Sequence, residues 1–146
     1  MIVDLYSVEL IKTLFDEMDN SSCIFMKNVI NAKIKNVKLD LFPSWYPTGV
    51  CWKYGEWFGG VWDVGIWIDG VWHNGTWENG YWHNGEWENG VWENGNWEEG
   101  AWKDGIWEKG VWKGGTIYNP ETGYYEKSDI NPNECEWSLS YKKVSK

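Results

Sequence analysis

Arginine is absent from the 146-residue chain: all 13 basic residues are lysines, against 22 acidic ones, for a formal net charge of −9. A nucleic-acid binder needs cations to neutralise phosphates and usually arginine to read guanine edges, so direct nucleic-acid binding is not expected. Cysteine is scarce, and Cys23, Cys51 and Cys135 share no Cys-x-x-Cys spacing. They read as reduced thiols, neither a disulfide framework nor a zinc site, and no metal or cofactor is expected. Long apolar runs are missing too: no window nears the ~18 residues that mark a membrane-spanning helix. The opening Met-Ile-Val-Asp-Leu-Tyr lacks the basic start and apolar stretch of a signal peptide. No Ser-His-Asp grouping, phosphate loop or Gly-x-Gly-x-x-Gly pattern is present, so the expectation is a protein that is not an enzyme.

What the chain has in excess is tryptophan, 15 residues in all. From Trp52 to Gly115 thirteen Trp-x-x-Gly units follow one another at a strict period of five. Asn-Gly closes five consecutive units, from Asn74-Gly75 to Asn94-Gly95, and the residue before Trp is often β-branched (Val61, Ile66, Val71, Thr76, Val91, Ile106, Val111). β-Branched residues suit strands, and Asn-Gly is the strongest two-residue hairpin signal. The simplest reading is an elongated, mainly β array of very short antiparallel hairpins with the Trp stripe buried on one face.

The flanking positions sharpen the expected unit to ten residues, as in Val-Trp-His-Asn-Gly-Thr-Trp-Glu-Asn-Gly (71–80). In a meander, Glu78, Glu88, Glu98 and Glu108 would alternate with apolar residues. A β-solenoid with ten residues per coil would stack them at ~4.8 Å, which is unfavourable. Such a solenoid would gain ladders of Asn74, Asn84 and Asn94, and it stands as the alternative fold.

Around the array the expected organisation is an N-terminal helix and strand cap at 1–50, the repeat at 51–115, and a C-terminal tail or closing strand at 116–146. Leu10, Ile11, Leu14, Phe15 and Met18 give residues 7–19 an apolar helical face, expected to cover the apolar start of the array. Ile30, Ala32 and Ile34, then Val37, Leu39 and Leu41, alternate like strands with a bend at Lys35-Asn36. Asn119-Pro-Glu-Thr-Gly123 reads as a turn, and Trp137, Leu139 and Tyr141 as a closing strand.

Gly75-Thr-Trp-Glu-Asn-Gly80 resembles the xWxxG short-repeat proteins of tailed bacteriophages and bacteria, and is similar to MORN hairpin repeats without their longer unit. The resemblance covers about 65 residues and implies a phage or bacterial source with a structural or interaction role. Pentapeptide-repeat β-helices share the period, but they place Leu or Phe where this chain has Trp. A four-sided coil would be crowded by four indoles.

Three functional expectations follow. The first is a non-enzymatic structural or protein-interaction scaffold, as a virion component or an effector in the cytoplasm of the infected bacterial cell, with a protein partner or self-association into a homo-oligomer. In it Trp52, Trp57, Trp62, Trp67, Trp72, Trp77, Trp82, Trp87, Trp92, Trp97, Trp102, Trp107 and Trp112 form the structural core. The second is a glycan-binding module using an edge aromatic, with Trp45 as the candidate. The third is an acidic inhibitor of a host protein that mimics nucleic acid. Residues 51–115 hold eleven carboxylates against four lysines, and Glu78, Glu86, Glu88, Glu93, Glu98 and Glu108 are its candidate partner face. His73 and His83 read as surface histidines, not metal ligands.

Overall fold

The computed structural model describes residues 2–5, 33–40, 50–62 and 65–144. The helix expected over 7–19, Trp45 and the connector around it lie outside the described residues.

The repeat is a parallel β-solenoid of about four turns, and the antiparallel hairpins expected from the sequence do not form. Each strand pairs in parallel with the one fifteen residues on: Trp52 with Trp67, Trp57 with Trp72, Trp62 with Trp77. One coil therefore takes three five-residue units, where the sequence suggested two. The first face is built from the start of β3 (Val50–Gly59), β5 (Gly65–Trp67), β8 (Tyr81–Trp82), β11 (Asn96–Trp97) and β14 (Val111–Trp112). The second runs from the end of β3 through β6 (Val71–Trp72), β9 (Glu86–Trp87), β12 (Ala101–Trp102) and β15 (Thr116–Asn119). The third contains β4 (Val61–Trp62), β7 (Thr76–Trp77), β10 (Val91–Trp92) and β13 (Ile106–Trp107).

Three faces satisfy the tryptophans where one sheet face could not. Each indole stacks on its counterpart in the next coil, with centroids 4.8–5.1 Å apart. It also meets the indoles of the other two faces edge-on, as Trp72 meets Trp67 and Trp77 at 5.9 Å and about 72°. Both arrangements suit the aromatic quadrupole. All twelve tryptophans from Trp52 to Trp107 are at most 1% exposed, and Trp112 is partly buried at the last coil. At ~25 cal/mol/Å² and ~200 Å² per ring, each contributes about 5 kcal/mol of gross burial. A flat meander would leave half of that area wet.

The corners explain the glycines. At the glycine that closes each unit φ lies between 113° and 139°, extended backbone of the opposite hand and not the left-handed helical region a type I′ turn requires. At Gly90 a Cβ would sit 2.3 Å from the Gly75 carbonyl oxygen of the coil below. Stacked corners leave no room for a side chain. Two backbone bonds per unit tie the coils: Glu78 N–H donates to Trp62 C=O at 2.8 Å, and Glu86 N–H to Gly70 C=O at 2.9 Å.

Both ends are covered. At the start β1 (Ile2–Leu5) pairs antiparallel with β2 (Lys33–Asp40), which pairs antiparallel with β3. β2 runs as one strand through Lys35-Asn36, where the sequence suggested a bend, and its register against β3 shifts at three places, one of them between Lys35 and Lys38. At the other end β15 turns through 119–123 into β16 (Tyr124–Lys127). The expected closing strand around Leu139 and Tyr141 is instead a short helix, α1 (Leu139–Val144). Its Ser140 hydroxyl accepts from Trp102 Nε1 at 3.0 Å and donates to Gly105 C=O at 2.6 Å, sealing the core end with the fully buried Cys135.

Candidate functional site

Tryptophan points inward in every unit, so the residues on either side of it point outward and align at the coil period. On the second face the row after Trp reads Phe58, His73, Glu88, Lys103, Tyr118. Phe58 stacks on the His73 imidazole at 4.4 Å, and His73 Nδ1 lies 3.0 Å from Glu88. His73 Nε2 lies 3.4 Å from Glu56, and Lys103 stands 5.5 Å over the Tyr118 ring. On the first face the row contains His83, Glu98 and Lys113, with Lys113 Nζ 3.3 Å from Glu98. The Tyr81 hydroxyl donates to Glu98 at 2.6 Å. That bond, helped by Lys113, lowers the Glu98 carboxyl below its usual range. The same bond, burial and the charge of Glu98 raise Tyr81 above its usual range.

The third face differs. Its row after Trp is Glu78, Glu93, Glu108, carboxylates only, one coil apart beside stacks of 4.9 Å spacing. The row before Trp on that face is Val61, Thr76, Val91, Ile106, and Ile106 is exposed. The six carboxylates expected to form one partner face are therefore divided. Glu86 and Glu88 fall on the second face, Glu98 on the first, and Glu78, Glu93 and Glu108 come together on the third. The physical reason is the coil length. A spacing of ten residues moves a side chain to another face, whereas fifteen returns it to the same one.

Along the corner between the first and second faces runs an open groove of about 360 Å³ lined by Asp69, Asn84, Glu86, Glu99, Ala101 and Thr116. A smaller hollow of about 210 Å³ continues it past Glu99 and Thr116 to Lys127, Ser128 and Asp129. Sequence reasoning missed both, since neither corner stacking nor the path of the C-terminal segment is written in the five-residue unit. Tyr125 beyond them has its phenol raised by burial and by the charges of Glu86 and Glu88, and burial likewise raises the Cys135 thiol. Among the described residues no group of three His, Cys, Asp or Glu side chains is placed to hold a metal ion, and no helix is long and apolar enough to cross a membrane. No family model, curated protein or solved structure matches the chain.

Proposed function

We propose that the protein is a non-enzymatic scaffold that binds a basic protein partner through its third face. The observation that carries this reading is the row Glu78, Glu93, Glu108 beside Val91 and Ile106, on a rod whose other two faces alternate acids with histidine or lysine. Like charges one strand apart cost stability, and a feature that costs stability points toward use. The array tryptophans from Trp52 to Trp107 are buried in the core, which leaves recognition by the repeat to its outer ladders. Charge of one sign on a rigid face speeds association with a partner of the other sign. The resemblance of the repeat to phage short-repeat proteins supports a setting in the virion or the infected cell, where the partner is a particle component or a host protein.

Immobilised poly-lysine tests the face directly. The Glu78→Gln/Glu93→Gln/Glu108→Gln variant should lose salt-sensitive retention, while Glu86→Gln/Glu88→Gln/Glu98→Gln retains it. Equal loss in both variants would sink the assignment to one face.

A further inference from the structure

We infer that the tryptophan array relays a one-electron oxidation along the length of the rod, from the C-terminal end toward β3. Each step of the first column is a near-parallel stack: Trp112 to Trp97 at 5.0 Å, then Trp82 at 4.8 Å, Trp67 at 4.9 Å and Trp52 at 4.8 Å. Edge contacts of 5.7–5.9 Å join the three columns at every level of the interior, so the path is a mesh and not a single file. Where no proton can leave, indole gives up an electron more readily than phenol does, and contact stacking gives the overlap that electron exchange requires.

Stacking alone does not make a relay, because an oxidised indole that loses its Nε1 proton becomes a neutral radical and a trap. Here the proton has nowhere to go. The indole N–H groups of the interior Trp77, Trp87 and Trp92 donate to backbone carbonyls at 3.1 Å, and Trp102 donates to the Ser140 hydroxyl. None of these acceptors is a base, and the interior rings are closed to water. The carboxylates lie outside the coil: ten of them against four lysines, over the described residues 51–62 and 65–115, surround the array with negative charge that favours a cation within.

The electron count is simple. A strong one-electron oxidant, such as a ruthenium(III) tris-diimine or an oxyl radical, takes one electron from the partly exposed Trp112 and is reduced by one. Trp97 or Trp107 then returns an electron to Trp112, and the vacancy moves inward with no bond made or broken. It ends when a reductant of the thiol or ascorbate class restores one electron.

Flash-quench oxidation of the full chain by ruthenium(III) tris(bipyridine), in a Trp45→Phe/Trp137→Phe background that leaves only the array tryptophans, tests this. The absorption of the indole radical cation should persist about tenfold longer than in a short peptide with one exposed tryptophan, as expected where proton loss is blocked. The Trp97→Phe/Trp107→Phe variant isolates Trp112 and should give the neutral radical with peptide-like decay. Prompt neutral radical in the chain with all thirteen array tryptophans would overturn the relay, whether or not the double variant folds. So would a cation equally long-lived in the folded double variant.

Discussion

Replacing Gly90 by alanine should come close to unfolding the protein, and replacing Gly114 should not. At Gly90 φ is 124°, a region open in practice only to glycine, and forcing an L side chain there costs ~1–3 kcal/mol. The added methyl would lie 2.3 Å from Gly75 O and 3.0 Å from Gly75 N, both backbone atoms that cannot swing aside. Relieving that contact means lifting one corner off the next, an overpacking cost of ~1–3 kcal/mol. The same lift stretches the Val91 N–H bond to Gly75 C=O, now 2.9 Å, at a further cost of about 1 kcal/mol or more. The sum, ~3–7 kcal/mol, is comparable to the whole stability of an ordinary domain. At Gly114 the nearest atom to a new methyl is Glu98 O at 3.9 Å, and φ is outside the strained region. Gly114→Ala should therefore be neutral or gain up to ~1 kcal/mol by restricting the unfolded chain. Urea unfolding followed by tryptophan fluorescence compares the two. A loss below ~1 kcal/mol for Gly90→Ala would refute the stacked-corner account, because a change that small needs no steric conflict at the site.

Trp77→Ala should cost ~3–5 kcal/mol in the same assay, since it empties a site with indoles above, below and on both sides. Neutralising the middle of the acidic row by Glu93→Gln should raise stability by a few tenths of a kcal/mol at low salt, a gain that added salt erases in thermal melts. The lowered Glu98 carboxyl stabilises the fold above the usual carboxylate range, and that contribution is lost as pH falls through its depressed value. Tyr81→Phe removes the main cause, so its acid unfolding midpoint should move to higher pH. Tyr81 itself keeps its proton in the fold above its usual 10, so stability should decline as pH rises beyond that value, and Tyr81→Phe should flatten this alkaline limb.

The inward tryptophans, the β-branched residues before them and the turn at 119–123 were all legible in the sequence, because each is a local preference with a local cause. The coil length was not. Thirteen near-identical units carry no mark of where a coil closes, and alternation of acid and apolar residues at spacing ten suggested strands running back and forth. What decides the matter is three-body packing: three indoles fill a triangular cross-section at angles near 72°, which no pairwise pattern encodes. Asn-Gly misled for a related reason, since the corner uses the glycine in an extended form that the hairpin signal does not describe. The acidic row followed from the coil length and so could not be read before it. Leu139 and Tyr141 alternated like a strand, yet the segment is helical where Ser140 plugs the core end.

A coil of three equivalent units gives the gene two distinct step sizes. Loss or gain of five codons leaves an intact tryptophan core but rotates everything downstream by a third of a turn, so that Glu93 and Glu108 would no longer continue the line begun by Glu78. Loss or gain of fifteen changes the length by one coil of about 4.8 Å and leaves every face in line. Length can therefore drift in small steps, whereas a surface that must stay aligned can change only in steps of three units.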